Sequence, residues 1–305
     1  MIGKLELIYL SDSEKFQYNP DILVISGGAY MGLAYISSLE QMYNNGFDIY
    51  QITKLSGSSI GALLCICIIF EYTFAEMKEM MINIINRKLF DFNEYPDNRQ
   101  YLCNILDKYS LTDGVEMDEL LKIIFIKKNY NYKTLTFREL YQKYKKLVII
   151  NVSNITKCQA EYLSMRHTPD FNIYESLRMT TRVPLLLPYI TNNNNIYVDG
   201  DLYSPFPIYG FSSNEIKSAK KGNMIGLMSL KQTNLELNTV TNYISVLLNG
   251  CINNYYTQSI KSFKKYIIII NVPNNINSFS IHSSDINQIY DLGKISADLF
   301  INQIK

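Results

Sequence analysis

The chain has 305 residues, of which 47% are hydrophobic, and its 29 basic and 28 acidic side chains give a formal net charge of +1. This length is enough to bury a full hydrophobic core in one large domain or two small ones. The near balance of charge leaves no extended basic surface, so we expect no nucleic acid among its partners.

The N-terminal region and the cysteines predict a cytoplasmic protein. Lys4 and Glu6 interrupt the first residues, which lack the apolar core of a secretory signal. The five cysteines are odd in number and lack metal-ligand spacing, which favours a reducing compartment and no bound metal. The longest uncharged apolar stretch, 60–70, is too short to cross a bilayer. We therefore expect any contact with a membrane to be peripheral.

The first predicted unit is a strand, a glycine turn and a helix. The apolar run 22–26 ends at Gly27 and Gly28, and helical periodicity extends over 31–43. Backbone N–H groups in such a turn, at the start of a helix, can bind an anionic oxygen. A nucleotide phosphate loop is the alternative, although Asp48, the acidic residue that such a fold would use, precedes the next strand instead of ending it.

The second unit carries a GxSxG motif. The apolar run 52–55 precedes Gly57, Ser59 and Gly61, and the run 62–70 follows as a predicted buried helix. A nucleophile elbow requires this context, because small flanking glycines let the serine adopt a strained and exposed conformation. We therefore predict that Ser59 is a nucleophile. The structural alternative is an N-capping serine between two turn glycines.

The remaining sequence continues the alternation of strands and helices. Two capping boxes, Thr73 with Glu76 and Thr136 with Glu139, mark helix starts. Further helices are predicted over 115–125, 173–180, 237–263 and 285–301, strands over 147–152, 160–163, 196–198, 224–228 and 266–272, and polar loops over 91–100 and 192–195. This order favours one α/β domain, 1–305, with a mainly parallel central sheet flanked by helices.

A third candidate site residue, Asp199, follows the predicted strand 196–198 and precedes Gly200. We expect this strand to be parallel to the first two, which would place Gly27, Ser59 and Asp199 at one carboxyl edge of the sheet. Ligands bind at that edge in open α/β folds. The structural alternative is a turn aspartate that bonds only its own backbone.

In their order and spacing, the three motifs resemble those of the patatin-like phospholipases over roughly 22–208. The glycine turn stands in the place of the family's oxyanion loop, 57–61 in the place of its GxSxG elbow, and Asp199 with Gly200 in the place of its Asp-Gly motif. The resemblance implies a patatin-like three-layer α/β fold, which 209–305 would complete.

The resemblance also implies an activity. The protein would be a lipid acyl hydrolase of phospholipase A type, with phospholipids or related acyl lipids as substrates and without a metal or another cofactor. Ser59 would attack the ester carbonyl, and Asp199 would accept its proton without a histidine. Backbone amides of Gly27, Gly28 and Ala29 would form the oxyanion hole, and Gly32, Gly57, Gly61 and Gly200 would support the motifs.

Three positions depart from the family pattern. Ala29 replaces a glycine, Met31 replaces an arginine or lysine, and Asp201 stands where the family has glycine or alanine. Alanine is a mild change if φ is negative at that position. We expect the absence of the cation at Met31 to affect the reaction rate and the preference for lipid head groups. We expect Asp201 to raise the proton affinity of Asp199 by like-charge repulsion.

Two alternatives to a Ser-Asp lipid hydrolase remain open. The order Ser59, Asp199, His282 also suits the Ser-His-Asp triad of an α/β-hydrolase esterase, although Ser59 follows only the second strand. A catalytically impaired lipid-binding or interaction protein on the same fold is the other alternative, and the missing cation motivates it. The apolar stretch 237–248 either borders an acyl-chain groove, contacts a membrane surface or packs in the core.

Overall fold

Eight strands form one sheet in the computed structural model, which describes residues 18–87, 105–231, 240–279 and 281–304. The strands are β1 (Ile22–Ile25), β2 (Lys54–Ser58), β3 (Leu147–Asn154), β4 (Gln159–Ser164), β5 (Ile190–Asn192), β6 (Asn195–Val198), β7 (Met224–Lys231) and β8 (Ile267–Val272). Their order is β5-β6-β3-β2-β1-β7-β8, and β4 pairs with β3. The predicted loop 91–100 lies outside the described residues.

Helices cover this sheet. They are α1 (Gly32–Asn44), α2 (Ile60–Ile69), α3 (Phe74–Asn86), α4 (Val115–Lys127), α5 (Phe137–Tyr144), α6 (Ile173–Thr180), α7 (Ser213–Ala219), α8 (Val240–Ser259) and α9 (Asp285–Ile304). Both predicted capping boxes form, at Thr73 and at Thr136. Helix α8 ends at Ser259 and a 3₁₀ helix, Lys261–Tyr266, follows it, so the predicted end of α8 at 263 was too late.

The central strands are parallel and buried on both faces. β1 pairs in parallel with β2 and β7, β2 with β3, and β7 with β8. Along β1, Leu23 and Ile25 belong to one apolar cluster, whereas Ile22 and Val24 belong to a second one. Because successive side chains of a strand point to opposite faces, the sheet has a core on each side. The predicted α/β fold with a mainly parallel sheet flanked by helices is confirmed.

The strand before Asp199 departs from the prediction. β6 pairs antiparallel with β3, with Val198 opposite Ser153, and antiparallel with β5. Asn193 and Asn194 both have positive φ, which is typical of the tight turn of a hairpin. The expectation that Asp199 ends a parallel strand was therefore wrong, because the polar stretch 192–195 is a hairpin turn that reverses the chain. Within the described ranges, no helix combines the length and apolar character that a bilayer span requires.

Candidate active site

Ser59 occupies the turn between β2 and α2 with φ 49° and ψ −125°, a backbone conformation that costs energy in a residue with a Cβ atom. The flanking glycines make this turn possible. A Cβ on Gly57 would lie 2.5 Å from the backbone nitrogen of Ala62, and one on Gly61 would lie 2.2 Å from the carbonyl oxygen of Ile25. The predicted strand, strained turn and helix are all present.

The side chains of Ser59 and Asp199 meet although 140 positions separate them along the chain. Ser59 Oγ donates a hydrogen bond of 2.7 Å to Asp199 Oδ2. Both residues are nearly buried, with 7% and 3% of their surface exposed. A carboxylate at this distance can accept the serine proton directly, which is the geometry that nucleophilic catalysis without a histidine requires.

Backbone contacts fix the turn that carries Asp199. Its N–H donates to the carbonyl of Arg182 at 2.9 Å, and its Oδ1 accepts the N–H of Asp201 at 2.9 Å. Asn151, on β3, donates through Nδ2 to the carbonyl of Gly200 at 2.8 Å. A Cβ on Gly200 would lie 2.4 Å from the carbonyl oxygen of Asn151, so glycine lets this turn approach β3 closely.

Thr180 and Asn151 are site residues that the sequence analysis missed. Thr180 Oγ1 accepts the N–H of Ser59 at 2.9 Å and donates to the carbonyl of Asn151 at 2.5 Å. Both are fully buried polar residues inside predicted elements whose other buried side chains are largely apolar, Asn151 within β3 and Thr180 at the end of α6. That mismatch was the available signal, since buried polar groups require specific partners.

Arg182 anchors the segment that holds Asp199 from the other side. Its side chain is 1% exposed and forms an ion pair with Asp118 on α4, where Arg178 joins at 3.0 Å. Because a buried cation needs a partner, this pair fixes Arg182 and, with it, the carbonyl that accepts the Asp199 N–H.

The glycine turn follows β1 and presents its backbone to the site. Gly28 and Ala29 line a cavity together with Ser59 and Asp199. Gly28 has a φ of 155°, a backbone conformation that favours glycine. A Cβ atom at this position would also lie only 2.9 Å from the hydroxyl of Tyr35. The N–H of the next residue, Tyr30, donates to the carbonyl of Ser278 at 3.1 Å. Gly28 and Ala29 are therefore the turn residues nearest to the space beside Ser59.

Two further glycines of the motifs have packing roles. The carbonyl of Gly27 accepts a hydrogen bond of 2.7 Å from the hydroxyl of Tyr35, and Gly27 is not among the described residues that line the cavity. A Cβ on Gly32 would lie 2.6 Å from the side chain of Ile60, so this glycine lets α1 approach α2. Met31, where the family has a cation, is fully buried.

The backbone at Ala29 departs from the expectation. Its φ is 48°, so the condition under which alanine would replace glycine at little cost is not met. A Cβ atom in the left-handed region costs on the order of 1 kcal/mol. Ala29 and Ser59, two residues that line the same cavity, thus both have positive φ.

Burial raises the pKa of Asp199 well above its usual range, and the negative charge of Asp201 raises it further. Burial also raises the pKa of Asp201, to about 7, against the lowering effect of hydrogen bonds from the Ser58 side chain and the Gly27 backbone. The expected effect of Asp201 on its neighbour thus has the anticipated sign, but desolvation is the larger cause.

Two cavities lined by described residues adjoin Ser59. Asp199, Asp201, Ser229, Asn249 and Ser278 give the first its polar lining. The second is apolar and extends towards α3 and α4, with Ile60, Leu63, Ile84, Met117 and Val183 in its wall. Ser59 lies where the two meet, so an ester carbonyl placed at its hydroxyl would have a polar and an apolar side.

Two alternatives left open by the sequence concern the stretch 237–248 and His282. Asn249 and Ile252 of α8 line the polar cavity, so this helix borders the site beyond the stretch 237–248. His282 is exposed and, among the described residues, lines neither cavity. Its backbone N–H donates to Asp285 at the start of α9.

Known proteins resemble this chain in sequence and fold. A family model described as "Patatin-like phospholipase" matches residues 23–212. The probable lipid hydrolase 463L of Invertebrate iridescent virus 6 is 29% identical over 208 residues, 67% of each chain. An uncharacterized protein of Acanthamoeba polyphaga mimivirus is 22% identical over 267 residues, 85% of this chain and 86% of its own. The crystal structure of VipD from Legionella pneumophila has a similar fold, with a TM-score of 0.58 at 16% identity over 93% of this chain and 67% of VipD.

Proposed function

This chain belongs to the patatin-like phospholipase family, and we propose that it is a lipid acyl hydrolase that acts through Ser59 and Asp199. The observation that carries the proposal is the hydrogen bond of 2.7 Å from Ser59 Oγ to Asp199 Oδ2. The raised pKa of Asp199 makes this carboxylate a stronger base than an exposed aspartate, which favours proton transfer from the serine hydroxyl.

The proposed reaction has two stages. Ser59 Oγ attacks the acyl carbonyl carbon as its proton passes to Asp199, and the backbone N–H groups of Gly28 and Ala29 stabilise the oxyanion. Asp199 then returns the proton to the departing alcohol, leaving an acyl-serine ester. A water molecule that gives a proton to Asp199 attacks this ester, and Asp199 returns that proton to Ser59 Oγ as the bond to the acyl group breaks and the fatty acid leaves. Gly27, the third predicted donor, contributes by holding the turn.

The two cavities support a lipid as substrate. We propose that the acyl chain enters the apolar cavity towards Met117 and that the rest of the lipid faces the polar cavity. Each cavity leaves about 30 Å³ free, room for little more than a water molecule. A bound acyl chain therefore requires side chains such as Ile84 and Met117 to move apart.

We also propose that the protein contacts membrane surfaces transiently. Leu185 and Tyr189 are 45% and 38% exposed, and Leu185 lies two residues after Val183, which lines both cavities. Exposed apolar side chains at the mouth of a lipid site can enter the acyl boundary of a bilayer. We also propose a cytoplasmic location. A single domain over 1–305 is part of the proposal as well, because β7 pairs with β1 in the same sheet.

A hydrolysis assay on phospholipid vesicles, with chromatographic detection of released fatty acid, tests the proposal. We expect Ser59→Ala and Asp199→Asn to abolish hydrolysis while circular dichroism and thermal unfolding confirm folding, and His282→Ala to keep most of it. Loss of activity in His282→Ala would replace the dyad by a Ser-His-Asp triad.

A serine-reactive fluorophosphonate separates the enzyme from the impaired binding protein. Labelling of wild type but not of Ser59→Ala supports a nucleophilic serine. A folded wild-type protein that neither takes the label nor hydrolyses phospholipid, lysophospholipid or neutral glyceride would favour the binding protein.

A further inference from the structure

Asp201 lies at the junction of the segments that form the site. Its side chain is 7% exposed and lines the polar cavity beside Ser59 and Asp199. A Cβ on Gly27 would lie 1.8 Å from Asp201 Oδ2, so only a glycine leaves room for this carboxyl group against the turn. An aspartate at this position therefore fits the glycine turn closely.

Three connections extend from this residue. Its carboxyl group packs against Gly27, and hydrogen bonding by the Gly27 backbone and by the side chain of Ser58, the last residue of β2, lowers its pKa. Its own N–H donates to Asp199 Oδ1 at 2.9 Å. One residue thus connects the turn after β1, the residue before the nucleophile and the carboxylate that holds the serine hydroxyl.

The electrostatic surroundings of Asp201 contain no compensating cation among the described residues that line the cavity. The titratable groups that face it are Asp199, from the same turn, and Tyr35, from α1, whose pKa is raised by burial and further by the Asp201 charge. Gly27 and Ser58 bring hydrogen-bond donors but no charge. Asp201 Oδ1 is buried and has no hydrogen-bond partner among the described residues.

We propose that Asp201 is a positioning residue of this site, which clamps the turn of Gly27 to β2 and places a second negative charge beside Asp199. The clamp fixes the backbone of Gly28 and Ala29 relative to Ser59, and the charge makes Asp199 a stronger base. This inference rests on the proposed function and adds to it a group that the family pattern does not supply, because glycine or alanine is usual at this position.

Two variants separate the clamp from the charge. Asp201→Asn keeps an oxygen acceptor and removes the charge, so we expect the acidic limb of the kcat/KM pH profile to move down by about one pH unit, with kcat at the optimum within about threefold of wild type. Asp201→Ala removes both, so the same shift should be joined by a loss of about tenfold or more in kcat with KM little changed. Asp170→Asn, at an exposed carboxylate paired with Arg138, is the control and should leave the profile unchanged.

A titration that needs no turnover keeps this inference separate from the proposed function. In protein labelled with ¹³C at the aspartate carboxyl groups, comparison with Asp199→Asn assigns the Asp199 resonance, and NMR then follows its midpoint in wild type and Asp201→Asn. A lower midpoint in Asp201→Asn supports the inference even if no lipid is hydrolysed. An unchanged Asp199 midpoint, or full kcat in folded Asp201→Ala, would overturn it.

Discussion

The hydroxyl of Thr180 accepts the backbone N–H of Ser59 at 2.9 Å and donates to strand β3 at 2.5 Å. This single group ties the nucleophile turn to the end of α6 and to the sheet. It also satisfies a backbone donor in a turn with φ 49°, where no helical partner exists for it.

We expect Thr180→Val to weaken both fold and activity. The valine leaves the Ser59 N–H and the Asn151 carbonyl buried without this partner, which costs about 2 kcal/mol in the free energy of unfolding. Because the serine loses its backbone anchor, kcat should fall about tenfold. Urea unfolding and vesicle hydrolysis measure the two effects. Thr180→Ser keeps the hydroxyl and serves as the control; equal kcat in both variants would contradict the role of this bond.

The backbone of Ala29 predicts a stabilising substitution. At φ 48° a glycine avoids the cost of a Cβ atom in the left-handed region, and this relief outweighs the greater freedom that glycine gives the unfolded chain. We expect Ala29→Gly to raise the free energy of unfolding by about 0.5 kcal/mol, measured by urea titration. Gly46→Ala is the opposite case. A Cβ atom there would meet no neighbouring atom, but the φ of 95° is unfavourable for alanine, so this variant should lower the free energy of unfolding. A less stable Ala29→Gly would show that Ala29 is not strained.

The apolar cavity predicts selection of acyl-chain length. Met117 is 8% exposed and forms part of the cavity wall. Met117→Ala should raise kcat/KM for long acyl chains relative to short ones by roughly tenfold, and Met117→Trp should reverse that preference, because the side chain sets the space available. A series of p-nitrophenyl esters measures the ratio. Ile123→Ala, at a half-exposed position of the same helix, should leave it unchanged. If all three variants keep the wild-type ratio, the acyl chain lies elsewhere.

The exposed side chain of Leu185 predicts a membrane effect. We expect Leu185→Asn, which suits φ 68°, to lower hydrolysis of vesicle phospholipid about fivefold and to leave hydrolysis of a soluble short-chain ester unchanged. Leu299→Asn removes a leucine that is 66% exposed and lines a different groove, so it controls for lost surface hydrophobicity. A similar loss in both variants, or none in either, would contradict a membrane contact at Leu185.

Local patterns predicted most of the fold, whereas contacts between distant segments produced the departures. The helix over 173–180 has the predicted bounds because its periodicity and its cap at Asn172 are local. The predicted direction of β6 was wrong, because the pairing of a strand depends on partners that lie far away along the chain. Within the site, motifs located Ser59 and Asp199. Thr180 was missed because a lone threonine has no motif, and its role depends on a neighbour 121 positions away.

The raised pKa of Asp201 makes the stability of the protein fall as pH rises. Below about pH 4 this carboxyl is protonated in both the folded and the unfolded chain and contributes nothing. Between pH 4 and the folded-state pKa of about 7, the unfolded chain releases the proton that the folded chain retains, so the free energy of unfolding falls as pH rises. Above about pH 7 both states are ionised, and the free energy of unfolding stays at this lower value. Each pH unit in this window corresponds to about 1.4 kcal/mol.

Asp201→Asn should therefore gain stability relative to wild type as pH rises, with a difference about 2 kcal/mol larger at pH 8 than at pH 5. Comparing two pH values cancels any constant cost of the asparagine, and urea unfolding at each pH measures the difference. Glu215→Gln is the control with the opposite sign. Arg166 lowers the pKa of Glu215 to about 2, so its contribution is present above pH 4.5 and lost only as pH falls through about 2. Glu215→Gln should thus cost the same at pH 5 and pH 8, whereas an equally flat response of Asp201→Asn would mean that Asp201 does not titrate in this range.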